Sequence, residues 1–415
     1  MALTYEQPGV IGFCRSPILY AVYEATFADV GFYYTCDVYL WQSGSKPASA
    51  TYSLEKYPTP NGAASFNIQS LAKDYFINPQ HEFTTPDDTE SSYVNCAVTL
   101  NWTDDVGSGA PVVLSEFFIM NGYNYYLDGL NYITDSHLGV NYASAFALRV
   151  SADGGTLEAP DCVGDELLGL SYEGYWMTDR PSEMDIPIDT SMRQYFKRIA
   201  GNTLNIVVNI NDRDKIIKTD ISAYTKKVTS FGVGGTEIQA LATANSFTDT
   251  ITTYDVYLED SDENIYGQTY TFNVIEPCRF GFRNLQFMNR YGVWDNIIIY
   301  GTQIEKLDVE RKEIFNSPLE VSTAAVMTTN DPYGQYHMSG ISGRESLTVN
   351  TGWISEDYNE VLKQLMLTEH LFDPDTSQPF TIDTKSLTVK TSLNNGLSFY
   401  TFDLKQSNSA INTVY

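Results

Sequence analysis

The chain has 415 residues, 43% hydrophobic and 19% charged, which excludes the polar, charge-rich profile of a disordered protein and exceeds what one hydrophobic core usually organises. Its 52 Asp and Glu against 25 Lys and Arg leave a net charge of −27, which repels phosphate and argues against gripping nucleic acid or an anionic membrane. The 30 Tyr and 21 Phe, beside abundant Thr, Val and Ile, favour pleated strands.

No apolar run reaches the roughly 18 residues of a membrane span, and the first twelve residues lack the basic and apolar regions of a signal peptide. Synthesis and folding in a cytoplasm are expected. Cys14, Cys36, Cys96, Cys162 and Cys278 are odd in number and far apart, which suits reduced, buried thiols. A Cys36–Cys96 bridge across a sandwich is the less favoured alternative.

From residue 17 to about 102 the alternation predicts a β-sandwich, with strands at 18–24 and Tyr33–Trp41, where Cys36, Val38 and Leu40 alternate with Asp37 and Tyr39. Breaker clusters at Gly44-Ser45-Lys46-Pro47 and at 58–62 mark turns. A short strand is expected at 65–68, then a helix over 71–76 capped by Ser70 and ended at Asn78-Pro79. Another strand covers 95–102. The stretch 104–111, with Gly107, Gly109 and Pro111, sets the first domain boundary at 110.

Residues 111–277 read as a second β-sandwich with a Tyr-rich insertion. An apolar run at 112–120 precedes a Tyr- and Asn-rich stretch at 121–142, and strands are expected at Leu204–Ile210, 230–233 and 252–258. The acidic run 259–264 reads as a hairpin tip.

From 278 to 415 the texture changes to closely spaced strand candidates at 280–289, 294–300 and 304–309. One helix stands out at 356–367: Ser355 caps it, Glu356 and Asp357 fill the first turn, and Tyr358, Val361, Leu362 and Leu365 share a face. Residues 387–390 and 397–404, joined through Asn394-Asn395-Gly396, predict a terminal hairpin. The expected fold is therefore mainly β: tandem immunoglobulin-like β-sandwich modules plus a C-terminal β-rich module with one clear α-helix.

Catalytic and metal motifs are sparse. His81, His137, His337 and His370 stand outside metal-ligand spacing of each other and of the cysteines, and read as surface or capping residues. Gly-x-Ser-x-Gly is absent; Ser339-Gly340-Ile341-Ser342-Gly343 has the wrong spacing and reads as a flexible turn. Gly232-Val233-Gly234-Gly235 is read as a loop, without the following helix and positive charge of a phosphate cradle. Carboxylate pairs of the kind that cleave glycans, about 5–9 Å apart, have candidates in Asp212 with Asp214 and in Glu259 with Glu263, but these sit in apparent turns where solvated carboxylates are common. Asp260, Asp262 and Asn264 alternate as calcium loops do, without the turn Gly or closing Glu. Asp373-Pro374-Asp375 reads as a turn. No catalytic, cofactor-binding or metal residue is assigned, and the chain is expected to be neither an enzyme nor a cofactor protein.

Several segments carry a likeness to a known family. The run from Tyr270 to Cys278, followed by Leu285-Gln286-Phe287-Met288-Asn289-Arg290-Tyr291-Gly292-Val293-Trp294-Asp295, resembles a recurrent segment of virion structural proteins of tailed bacteriophages and prophages. There a strand ending near Cys leads into a Phe-x-Asn-Arg/Lys-Phe-Gly strand, turn and strand. Asn350-Thr351-Gly352-Trp353, 358–367 and 384–392 resemble the same proteins, so the likeness covers roughly 269–412; the opening segment matches loosely and the middle departs most.

The resemblance implies a structural protein of the tail, baseplate, neck or ring apparatus that acts by subunit assembly, with no catalytic residues to carry over. It implies a virion location, partners among other virion proteins, a homo-oligomer in a symmetric assembly, and neither tight nucleic-acid binding nor membrane insertion. The C-terminal module is the expected docking element, with Phe287, Asn289, Arg290, Trp294, Trp353, Tyr358, Leu362 and Leu365 as contact candidates. The competing reading is a receptor- or glycan-binding adsorption protein, which Tyr and Trp side chains would suit.

Overall fold

The computed structural model describes residues 3–8, 11–24, 27, 30–76, 87–88, 93–114, 116–123, 147–148, 176–197, 204–211, 216–220, 228–260, 263, 265–276, 281–315, 319–321, 327–329, 336–389 and 396–410. They fall into two compact units: Met1–Glu276 with Met288–Asp295, and Pro277–Phe287 with Asn296–Tyr415. Both are built mainly of β-strands.

The first unit opens with a sandwich. One sheet runs Ala147–Leu148, Thr4–Pro8, Leu19–Tyr23, Ala63–Asn67; the other runs Ile11–Phe13, Phe117–Met120, Tyr93–Thr103, Tyr33–Trp41, Tyr52–Lys56. Tyr33–Trp41 alternates between buried and half-buried residues along its whole length, as a strand with one face on a core must. Tyr20, Val22 and Phe66 of one sheet meet Tyr34, Cys36, Val38, Leu40, Val98 and Leu100 of the other in one apolar cluster. Each fully buried Val or Leu there contributes about 1.5–3 kcal/mol of transfer free energy. Cys36 lies opposite Leu100, and Cys96 opposite Leu40; both thiols are free, so no bridge joins them.

Two local expectations change. The helix after 68 is a 3-10 helix, Gln69–Phe76, and Asn67 opens it in place of Ser70, its Oδ1 accepting from Gln69 N at 3.1 Å. The boundary at 110 falls inside a sheet, because Val112–Val113 and Phe117–Met120 both pair with Tyr93–Thr103. Asp87–Asp88 also pairs with Val228–Gly232, so the first two modules interlock.

The rest of the first unit holds a five-stranded sheet in the order Glu183–Pro187, Ile265–Ile275, Thr253–Asp260, Leu204–Ile210, Ile216–Asp220. A three-stranded sheet, Arg193–Lys197, Val228–Gly232, Asp87–Asp88, accompanies it. Trp176 links the two, its ring T-shaped to Phe196 of the smaller sheet and to Tyr270 of the larger. The glycines 232–235 do lead into a helix, Gly235–Ala244. Residues 190–191 hold its first turn: Glu237 accepts from Ser191 Oγ, and Thr236 N donates to Thr190 O at 3.2 Å.

The second unit centres on a seven-stranded sheet ordered Trp294–Ile299, Arg283–Met288, Leu371–Asp373, Gln378–Ile382, Thr401–Gln406, Tyr336–Asn350, Gln303–Phe315. Residues 356–367 are helical, a 3-10 turn Glu356–Tyr358 running into the α-helix Asn359–Leu367. Ser355 caps the turn, its hydroxyl accepting from Asp357 N at 3.3 Å. Val361, Leu362 and Leu365 pack with Leu285, Phe287, Leu347, Val349 and Phe402, and Tyr358 flanks that core. The turn at 373–375 stands, with Asp373 Oδ1 accepting from Asp375 N and Thr376 N.

Two C-terminal expectations fail. Residues 339–343 lie inside the 15-residue strand Tyr336–Asn350. No terminal hairpin forms among the described residues: 384–389 carry no strand, Leu397–Ser398 pairs with Ile354–Ser355, and Thr401–Gln406 joins the large sheet.

Candidate interaction surface

The eight contact candidates separate by burial. Phe287, Leu362 and Leu365 are fully buried in the core of the second unit, and Tyr358 packs half-buried against it. Trp294 is buried in an apolar cluster of the first unit with Phe13, Phe118, Met177 and Val293. Side chains already spent on a core cannot also meet a partner, so these five hold the fold. Trp353 is 68% exposed and sets its ring T-shaped against Phe399 at 5.1 Å.

Asn289 and Arg290 form a polar latch inside the first unit. Asn289, buried, closes its own turn by accepting from Tyr291 N at 3.0 Å and Val293 N at 3.3 Å, and donates to Met177 O at 2.8 Å. Arg290 pairs with Asp179 at 2.7 Å, and Tyr291 donates its hydroxyl to the same carboxylate at 2.7 Å. Burial, then the Asp179 charge, pushes the Tyr291 phenol far above its usual range, so it serves as a neutral donor. Beside it Asp295 accepts from Thr178 Oγ1 at 2.5 Å and pairs with Arg180 at 2.8 Å. The Asn-Arg-Tyr-Gly motif is thus structural: it pins residues 288–295 to 176–180.

An exposed ribbon that the sequence reading did not single out lies in the second unit. Gln303–Phe315 pairs antiparallel with Tyr336–Asn350 over its full length and ends the sheet, so among the described residues no strand covers its outer edge. Nearly every residue of this 13-residue strand is exposed. Its partner strand meets Thr401–Gln406 only from Ser346 onward, and the 409–410 segment reaches it at Gly343. Among the described residues the part beyond is a two-stranded arm.

The arm is two-faced. Residues opposite each other across a pair share a face and alternate along each strand. Leu307, Val309 and Ile341 therefore lie on the face that carries the buried Leu347 and Val349, continued past the end of the core, where Glu305, Arg311 and Glu345 flank them. Leu307 is 54% exposed there. Farther out Phe315, 62% exposed, stands T-shaped to Tyr336 at 5.5 Å. The opposite face carries Lys306, Asp308, Glu310, Ser342 and Arg344, with the exposed Ile304 at its start. Lys306 pairs with Asp308 and, donating to it, holds its carboxyl below the usual range. The alternation of Leu307 and Val309 with Lys306, Asp308 and Glu310 marked a strand in the sequence, but the four charged residues 310–313 hid its continuation to 315.

The chemistry candidates stay apart. Asp212, Asp214, Asp262, Asn264, Cys162 and Cys278 lie outside the described residues, as do most of 121–142. Glu259 is bonded to Lys218 at 2.5 Å in place of a second carboxylate. Among the described residues no group of three or more His, Cys, Asp or Glu could hold a metal ion, and no helix is long and apolar enough to cross a membrane.

No family model and no curated protein matches the chain. Among solved structures it is similar to CBD12 from CALX1.2, at 7% identity over 66% of this chain and 100% of that one, with a TM-score of 0.17. It is similar to Salmonella alpha-2-macroglobulin reacted with methylamine, at 9% identity over 84% of this chain and 25% of that one, TM-score 0.21. Chicken CNTN1 FN1-FN3 domains follow at 9% identity over 83% and 92%, TM-score 0.15. At these scores none shares a common superposition with the chain, and the mainly β fold rests on its own strands and sheets.

Proposed function

We propose that this protein is a non-enzymatic structural component of a tailed-phage particle, placed in its tail, baseplate, neck or ring apparatus and acting by subunit assembly. The observation that carries this reading is the arm: a long exposed ribbon with Leu307, Val309 and Ile341 on one face and an outer edge that no described strand covers, a costly feature for a chain that stays alone. The likeness over 269–412 to virion proteins supports the same reading, and the net charge of −27 suits a part that must not cling to DNA. Mass spectrometry and electron cryomicroscopy of purified particles test it. The protein should be found in the particle, with density for the arm against a neighbouring subunit; particles that lack it would end the reading.

A second reading, a glycan-binding adsorption protein, draws on the exposed Trp353 and Phe399 pair. Stacked sugars would quench the Trp353 fluorescence, a change that Trp353→Ala removes.

A further inference from the structure

The edge of the arm that no described strand covers is also self-complementary. Successive residues of a strand send their N–H and C=O groups to opposite edges, so only alternate residues of Gln303–Phe315 reach the uncovered one. A two-fold antiparallel pairing must set those residues of one copy against those of the other. Such a pairing also keeps the faces that bear Leu307 and Val309 on one side of the joined sheet.

We infer that the arm's partner is a second copy of this chain, joined edge to edge in antiparallel register with Leu307 opposite the partner's Val309. In that register Glu305 faces the partner's Arg311, and Lys306 faces the partner's Glu310. The two-fold axis repeats each contact. Asp308 meets the partner's Asp308 on the axis, and each is already paired with its own Lys306. Sliding the strands so that Leu307 faces the partner's Leu307 sets Glu305 against the partner's Val309. Sliding the other way, Val309 against the partner's Val309, opposes Glu305 to the partner's Glu313 and Lys306 to the partner's Lys312.

Local charge fits this occupant. Lys306, Arg311 and Lys312 nearly balance Glu305, Asp308, Glu310 and Glu313 within one strand of a chain whose net charge is −27. Two such acidic chains repel at a distance, so a contact between them needs a patch that is neutral and matched. The joined sheet would continue the stripe of Leu307, Val309 and Ile341 across the axis.

The inference rests on reading the arm as a contact surface, and charge exchange tests it on the full chain. Sedimentation equilibrium should show a dimer; Glu305→Arg and Arg311→Glu should each weaken it roughly tenfold or more, and the double variant should restore it. Asp308→Cys should form an intermolecular disulfide under mild oxidation, and Glu310→Cys should not. A wild-type chain that stays monomeric at high micromolar concentration, or a double variant no better than either single one, overturns the inference. If the chain is monomeric yet Leu307→Asp still keeps it out of particles, the arm meets a different virion protein: the homotypic pairing fails and the assembly reading stands.

Discussion

Arg180 and Asp295 form a buried ion pair, Nε to Oδ1 at 2.8 Å, with side chains only 1% and 3% exposed. Thr178 and Asn289 donate to the other carboxylate oxygen at 2.5 and 3.4 Å, so the carboxylate is held on both oxygens. Replacing it by Ala strands the guanidinium in the interior. Asp295→Ala should cost about 3–5 kcal/mol in denaturant unfolding. A loss below about 1 kcal/mol would show that water reaches the site.

Gly292 closes the same turn at φ +79°, and a Cβ there would stand 2.6 Å from backbone atoms of Asn121. Gly396 has φ +62° with nothing within 4 Å of such a Cβ. Gly292→Ala should therefore lower the melting temperature clearly more than Gly396→Ala, with a cost above about 1 kcal/mol. Equal shifts would contradict the close approach.

Leu362 and Trp353 separate core from surface within the second unit. Leu362→Ala should cost about 2–5 kcal/mol in unfolding, because its side chain is wholly enclosed. Trp353→Ala, on an exposed ring, should leave the unfolding midpoint nearly unchanged. Reversal of that order would sink the placement of the helix Asn359–Leu367.

Burial, with a smaller contribution from Asp37, pushes the Cys36 thiol up to about 12, and burial likewise raises Cys96 well above its usual value. The folded chain thus holds these protons to higher pH than the unfolded chain, whose thiols titrate near about 8.5. The resulting stability is complete below that pH and drains away as pH rises toward the folded values. Unfolding midpoints should fall from pH 8 to 10, and Cys36→Ala should shrink that slope; identical slopes would rule the thiol out.

Much of the fold was legible where a local pattern meets one dominant environment. Tyr33–Trp41 alternates because one face is core, and Ser355 with the Val361, Leu362 and Leu365 stripe announced its helix. The helix Gly235–Ala244 was hidden because its cap, Gly234, offers no side-chain signal. Residues 339–343 looked like a turn from their Gly and Ser, yet the ladder of 340–343 with 309–312 keeps them extended, with Ser339 at a bulge. Gly396 does take a turn conformation, but the strand after it finds Ile354–Ser355, a distant partner no local pattern names. Several contact candidates, Phe287, Trp294, Leu362 and Leu365 among them, are core residues for a related reason: residue type marks an aromatic or apolar side chain without saying which face is covered.

The central claim, assembly through the arm, is tested most directly by complementation. Cells infected with a phage lacking this gene product would supply wild-type chain or the Leu307→Asp, Val309→Asp variant, and purified particles would be probed for it. Both positions are exposed, so the variant should fold and unfold like the wild type. The account predicts that the wild-type chain enters particles and the variant stays in the soluble fraction. Equal incorporation of a folded variant would contradict it.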